Sequence, residues 1–179
     1  MADRAVLEAM FRRHGYAEFV WAEPRSIVVA EGVRMKCIFG CSSYGRQACC
    51  PPNVPPVEAC RRFLDEYTTA AVFHFVKRVD APEERRSWAA GIYDGLLRLE
   101  REVFISGHEK AFMLPMSSCH VCAECVPSRG ECRNPERARP APEALGVDVF
   151  ATVRALGLPI GVLSAYDQAM NRYAFLLVE

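Results

Sequence analysis

The sequence predicts an α+β fold in which helices pack on a single central sheet. Two observations lead to this prediction: amphipathic helical stretches alternate with apolar strand-like runs, and half of the residues (51%) are apolar, enough for a buried core. A third observation is that two long stretches without periodicity interrupt the pattern and contain eight of the nine cysteines. At 179 residues the chain has the length of one domain, so we expect a single cysteine-rich domain over residues 1–179.

The first part of the chain predicts a helix followed by two strands. Residues 3–14 have their apolar side chains on one side and are followed by Gly15, which is typical of a helix end. Strands are expected over residues 18–23 and 26–35, the second containing the β-rich run SIVVAEGVRM.

The middle of the chain predicts two helices around a buried strand. Residues 55–67 begin with prolines that suit a first helical turn and continue with an apolar face. The run TTAAVFHFVKRV at residues 68–79 is typical of a buried strand. Residues 82–105 place apolar side chains at intervals of three and four, which predicts the longest helix.

The last part predicts one more helix and three short strands. A strand is expected within residues 110–116, before the second cysteine-rich stretch. Residues 142–156 have a helical apolar stripe, closed by a glycine and a proline. The runs PIGVLSA at residues 159–165 and YAFLLVE at residues 173–179 predict the final strands.

Two segments, residues 37–55 and 117–141, have no periodicity and exceed the ~12 to 15 residues expected of an unstructured loop in a compact domain. Disulfides are disfavoured because the cysteine count is odd and the N-terminus lacks a secretion signal. Bound metal would organise such loops, since a metal site contributes free energy to folding. We therefore interpret both segments as metal-binding loops.

The net charge of the chain argues against binding to polyanions. Twenty-two basic and 22 acidic residues cancel, so there is no general attraction to nucleic acid or to an anionic membrane. No continuous apolar stretch reaches the ~18 residues that a membrane span requires. We expect a cytoplasmic protein without nucleic-acid or membrane partners. No phosphate-binding loop, dinucleotide fingerprint or catalytic zinc motif is present in the sequence.

The second loop has a spacing that favours an iron-sulfur cluster. Cys119, Cys122 and Cys125 form Cys-x2-Cys-x2-Cys, and Cys132 follows. The first three match the start of the bacterial ferredoxin run, whose thiolates hold a [4Fe-4S] cluster. Zinc is the alternative, although three thiolates within seven residues would crowd one tetrahedral ion. The fourth cysteine lies three residues later than in the ferredoxin run.

The first loop is less regular. Cys37 and Cys41 are four residues apart, and Cys49 is adjacent to Cys50. Adjacent side chains diverge along an extended backbone, so we prefer Cys50 as a ligand and leave Cys49 either as a fourth ligand or as a bystander. Cys60 lies on the apolar face of its helix, where a free cysteine behaves as a small buried hydrophobe.

The paired motifs resemble an uncharacterised family of predicted cysteine-rich metal-binding proteins, a domain of unknown function common in anaerobes. The motifs are C-x3-C-x2-YG, then CPP, and later C-x2-C-x2-C-x6-CR-x-P with RP-x-x-EA-x-G-x-DV. Cys49 departs from the family pattern. The resemblance implies metal binding without a defined activity, by the following residues: Cys37, Cys41, Cys50, Cys119, Cys122, Cys125 and Cys132.

Three functional hypotheses follow from the sequence. The first is a protein with one or two [4Fe-4S] clusters that acts as an electron carrier or redox subunit for a partner protein. The second is an enzyme in which three cysteines hold a cluster with one open iron position. The third is a structural or interaction module that binds zinc. Four arginines near the last cysteines, Arg129, Arg133, Arg137 and Arg139, would either raise a cluster's potential or form a solvated basic stretch.

Overall fold

The computed structural model describes residues 3–165 and 167–179. Within this part, five α-helices and one four-stranded sheet confirm the α+β prediction. The elements in chain order are α1 (Arg4–Arg13), β1 (Phe19–Ala22), α2 (Glu31–Gly40), α3 (Val57–Asp65), β2 (Ala70–Lys77), α4 (Pro82–Ile105), β3 (Phe112–Leu114), α5 (Val149–Ala155) and β4 (Met170–Leu177).

The sheet has the strand order β1-β2-β4-β3, and each neighbouring pair is antiparallel. The long central strands β2 and β4 pair over eight residues, with Phe73 opposite Ala174. The shorter β1 and β3 form the two edges. Both central strands are strongly apolar because both faces of the sheet are covered.

Alternate residues of β2 point into two different cores, as the pleat of a strand requires. Ala70 and Val72 pack with the apolar residues of α3 and α5 on one face. Ala71 and Phe73 pack with α1 and α4 on the other face. The fold is therefore a three-layer arrangement with the sheet in the middle.

The long helix and the buried strands were predicted from their patterns. The helix expected over residues 82–105 is α4, which begins at Pro82 and ends at Ile105. The strand expected over residues 68–79 is β2, and the last strand is β4, which begins three residues earlier than expected.

The strand prediction for residues 26–35 is wrong. Val29 makes only an isolated bridge to Val147, and α2 begins at Glu31 and includes Cys37. The β-branched Ile27 and Val29 are buried in the core beside α3 and α5 and form no strand of the sheet. The carboxylate of Glu31 lies in the first turn of α2, where it complements the helix dipole.

The helix prediction for residues 142–156 is also partly wrong, because a glycine divides the segment. A short 3₁₀ turn at Pro142–Leu145 ends at Gly146, which has a left-handed φ of 84°. Helix α5 then begins after Asp148, whose side chain accepts a hydrogen bond from the Ala151 N–H at 2.9 Å.

Residues 159–165 form no strand in the described structure, contrary to the prediction from PIGVLSA. Strand β4 has β2 and β3 as its neighbours, so neither of its edges is open to another strand. The hydroxyl of Tyr173 in β4 donates a hydrogen bond to the carbonyl of Pro159 and holds this segment as a loop.

Candidate metal centre

The two cysteine-rich segments contact each other through the side chain of Asn53. Its Nδ2 donates to the carbonyl of Gln47 in the same segment at 3.1 Å and to the carbonyl of Pro127 in the other segment at 2.6 Å. Its Oδ1 accepts from the backbone N–H of Arg129 at 3.4 Å. One amide side chain therefore connects the backbones of both segments.

Five cysteines line one small cavity, and we call them the five-thiol set. They are Cys49, Cys119, Cys122, Cys125 and Cys132. Four come from the second segment, and Cys49 joins them from the first. The cavity has room for a body about the size of one water molecule, ≈ 10 Å³. The structure thus brings together all four cysteines of the second loop.

Several polar groups donate hydrogen bonds to sulfur atoms of the five-thiol set. They are the Ala48 N–H to Cys125 Sγ at 3.4 Å, the Asn134 Nδ2 to Cys122 Sγ at 3.1 Å, and the Arg129 Nη1 to Cys49 Sγ at 3.6 Å. Such donors stabilise thiolates and orient them as metal ligands. Each of these three sulfurs therefore has a donor partner that fixes its position in the set.

Cys119 is the most readily ionised thiol of the five-thiol set. A hydrogen bond from Cys49 lowers the pKa of Cys119 well below that of an ordinary thiol, and the Tyr93 hydroxyl acts in the same direction against the opposing effect of burial. The same hydrogen bond and burial raise the pKa of Cys49. The Tyr93 hydroxyl is fixed by accepting the Arg139 N–H at 2.7 Å. Because the thiolate is the metal ligand, Cys119 is a favourable first ligand.

Cys37, Cys41 and Cys50 share a second neighbourhood, and we call them the three-thiol set. Cys37 lies in the last turns of α2, and Cys41 follows the end of that helix. Burial raises the pKa of Cys50 to about 11, and the nearby Cys41 and Cys37 act in the same direction. Cys125 and then Cys119 also raise the pKa of Cys50, so the two sets adjoin.

The adjacent Cys49 and Cys50 belong to different sets. The prediction left Cys49 as a fourth ligand of the first loop or as a bystander, whereas the structure places it with the second loop. Divergence of adjacent side chains was the available signal in the sequence, but it could not show which way each side chain points.

No three Cys, His, Asp or Glu side chains between residues 3 and 179, Tyr166 aside, stand at separations suited to one metal ion. The donor set nevertheless fits a soft metal, because thiolates select zinc, copper(I) and iron-sulfur clusters. All nine cysteines are free thiols. Cys60 does not line the five-thiol cavity, and its buried Sγ donates to the Pro55 carbonyl at 3.5 Å.

The four arginines near the second loop differ in their contacts. Within the described chain, Arg129 is the one of the four that donates to a cysteine sulfur. Arg133 donates to the carbonyl of Glu124 at 2.6 Å. Arg137 pairs with Asp94 and Arg139 with the buried Glu100, at 2.7 and 2.8 Å. Among the four, Arg129 is thus the arginine whose described contacts include a thiol sulfur.

A cavity of ≈ 200 Å³ was not predicted from the sequence; it is lined by Glu143 of the 3₁₀ turn, whose next residue, Ala144, accepts a hydrogen bond from Arg34 of α2. Its polar lining includes Glu143, Asn171 and Arg172, and the remainder is mainly apolar. Burial raises the pKa of Glu143, and the charge of Glu143 contributes to the raised pKa of Cys37. The lining residues come from four separate segments, around residues 116, 143–150, 160–163 and 170–173, so no local pattern marked this cavity.

No helix in the described residues has the length and apolar character needed to cross a bilayer. No curated protein and no solved structure matches the chain. The family model described as predicted metal-binding protein (DUF2284) matches residues 20–178. The match includes all nine cysteines and both thiol sets. This chain therefore belongs to that family of predicted metal-binding proteins, whose function is unknown.

Proposed function

We propose that the protein binds iron-sulfur clusters of the [4Fe-4S] type and acts as an electron carrier or redox accessory subunit. The observation that carries this proposal is that five loop thiols line one cavity, and the electrostatic influence of Cys37 and Cys41 on Cys50 supports a second set beside it. Five thiols around one cavity exceed the four that a single tetrahedral zinc ion takes. Hydrogen bonds to the sulfurs are one of the means by which proteins set cluster potentials.

The proposed ligands divide between two centres. Cys49, Cys119, Cys122 and Cys132 would hold one cluster. Cys37, Cys41 and Cys50 would hold the other, with Cys125 as the fourth ligand. This division is supported by the influence of Cys125 on the pKa of Cys50. It is also supported by the contact of Cys125 Sγ with Ala48, which directly precedes Cys49 and Cys50.

These residues prepare the site in ways that do not depend on the bound group. The Asn134 amide and the Arg129 guanidinium would lower the cost of holding negative charge on sulfur. The Tyr93 hydroxyl would do the same for Cys119. When bound, an iron-sulfur cluster would supply one-electron transfer to and from a partner redox protein.

The free state of all nine thiols supports a reducing compartment, and we include a cytoplasmic location in the proposal. The small volume inside the five-thiol set is the feature that favours zinc instead, because a cluster needs the side chains to rotate outward. Zinc binding would make the protein a structural or interaction module.

An enzyme with an open-site cluster is the second candidate. It is supported by the three-thiol set, which leaves one ligand position for substrate if Cys125 does not bind there. It is also supported by the cavity lined by Glu143, Asn171 and Arg172, since Glu143 is close enough to Cys37 to raise its pKa. Such a cavity offers room for a small polar substrate.

Metal and sulfide analysis of protein purified without oxygen tests the proposal. We expect brown protein with equal amounts of iron and sulfide, about four of each per cluster. Reduction should give an electron paramagnetic resonance signal. Colourless protein loaded with zinc from iron-replete cells would contradict both iron-sulfur candidates.

Cysteine variants then test the ligand division. Cys49→Ala and Cys50→Ala should each lose the iron and sulfide of one centre. Because they disrupt different centres, the electron paramagnetic resonance signals of the centres that remain should differ between the two variants. Cys60→Ala is the matched control and should keep both centres, because Cys60 is outside the five-thiol cavity and its Sγ donates to the Pro55 carbonyl. Cys125→Ala separates the two candidates: loss of iron from the three-thiol centre supports a fourth protein ligand, and an unchanged centre supports the open site.

A further inference from the structure

A cavity of ≈ 310 Å³ adjoins the five-thiol cavity, and Ala48, Cys49 and Ala138 line both. It is formed by α3, by Phe112 of β3 and by parts of both cysteine-rich segments. Its volume lies at the lower end of the range for small-molecule sites, and its walls are almost entirely apolar. Phe63 and Phe112 meet there edge to face, with ring centroids 5.3 Å apart. The cavity therefore suits a compact aromatic or branched apolar body.

The charged groups at this cavity are of one sign. Arg129 and Arg139 line it, and no carboxylate belongs to its described lining. The charge of Arg139 is largely balanced, because its Nε pairs with Glu100 at 2.8 Å and its guanidinium lies 5.4 Å from the Phe112 ring centroid. Arg139 therefore serves mainly as a fixed part of the wall.

Arg129 has no carboxylate partner among the contacts that the structure describes. Its described side-chain hydrogen bonds go to Cys49 Sγ at 3.6 Å and to the Pro135 carbonyl at 3.1 Å, and neither partner is a carboxylate. The bond to Cys49 is long, so a stronger acceptor would compete for the same Nη1. An anionic group at the edge of the apolar cavity is the complement of this arrangement.

We propose that this cavity binds a small aromatic or branched apolar carboxylate. The apolar body packs against Phe63 and Phe112, and the carboxylate accepts hydrogen bonds from Arg129. The bound molecule then lies beside Cys49, which lines both this cavity and the five-thiol set. The site is built from side chains and requires no bound metal, whereas its relevance to electron transfer rests on the proposed function.

Calorimetric titration with 1-naphthoate tests the proposal on the protein as purified. We expect saturable binding of 1-naphthoate and at least tenfold weaker binding of the neutral analogue 1-naphthamide. Arg129→Gln should weaken naphthoate binding about tenfold, the loss expected for one charge-assisted hydrogen bond. Arg129→Lys, which keeps the positive charge, should bind naphthoate more tightly than Arg129→Gln and more weakly than the original chain.

A cavity-filling variant provides the second test. Ala59→Phe, at a half-buried position of α3 in the cavity wall, should abolish binding. Ala90→Phe, at a half-buried position of α4 outside this wall, is the matched control and should bind naphthoate normally. Equal binding of naphthoate and naphthamide, or unchanged binding by Ala59→Phe, would overturn the proposal, as would absence of binding to the original chain.

The outcome is separable from that of the proposed function. Zinc-loaded protein that binds naphthoate would refute the iron-sulfur function and support the carboxylate site. Iron-sulfur protein that does not bind naphthoate would do the reverse.

Discussion

Substitution of Asn53 by alanine should loosen both cysteine-rich segments at once. The variant removes hydrogen bonds to Gln47 O at 3.1 Å, to Pro127 O at 2.6 Å and from Arg129 N at 3.4 Å. The net contribution of a hydrogen bond is about 1 kcal/mol, and the longest of the three contributes least. We therefore expect the free energy that holds the two cysteine-rich segments together to fall by about 2 kcal/mol. This raises the fraction of molecules in which the segments have come apart about thirtyfold.

Amide hydrogen exchange measured by mass spectrometry would localise this loss, and urea unfolding without oxygen would give its total size. Exchange should accelerate in residues 41–53 and 119–132 and stay unchanged in the central strands. Asn171→Ala is the control, since the described hydrogen bond of its side chain goes to His74 at 2.8 Å and to neither cysteine-rich segment. The role assigned to Asn53 is wrong if Asn53→Ala lowers the free energy of unfolding no more than Asn171→Ala does and leaves amide exchange in both segments unchanged.

Two further predictions concern stability. Gly146→Ala should cost about 2 to 3 kcal/mol in urea unfolding, because the residue has a φ of 84° and a new Cβ would lie 3.0 Å from Val57 Cγ1. Gly157→Ala also has a positive φ but meets nothing within 4 Å, so it should cost only about 1 kcal/mol, and equal costs would contradict the packing argument. Hydrogen bonds from His14 and Arg13 lower the pKa of Glu102 below its ordinary value of 4.5. The ionised Glu102 carboxylate therefore stabilises the fold fully above pH 4.5. This stabilisation is lost as the pH falls through the lowered pKa of the folded state. The difference in melting temperature between the original chain and Glu102→Gln should therefore shrink below about pH 4.5, and a difference that is constant through the acid range would be evidence against this ion pair.

Elements with strong periodicity could be predicted from the sequence. Helix α4 has the apolar spacing of a one-sided helix over 24 residues, and β2 is apolar enough to identify a strand buried on both faces. Helix α2 could not be predicted in the same way, because the β-branched residues before it favour a strand locally. Those residues are instead buried beside α3 and α5, a contact that only the folded chain defines.

The candidate site likewise has a part that could be predicted from the sequence and a part that could not. The spacing of Cys119, Cys122 and Cys125 could be interpreted directly, because residues so near in sequence stay near in space. The position of Cys49 beside them depends on how the first segment folds back against the second. The apolar cavity combines Cys49, Phe112 and Arg139, which are far apart in sequence, so no motif contains it.

Helix α2 has no fully buried side chain, although it carries one of the thiols. Arg34 links it to the carbonyls of Pro55 and Ala144 at 3.1 and 3.0 Å, so packing alone gives this helix little stability. Coordination at Cys37 would anchor it in place of an apolar core. We expect one end of the molecule to change shape when the inorganic group is gained or lost while the sheet stays the same.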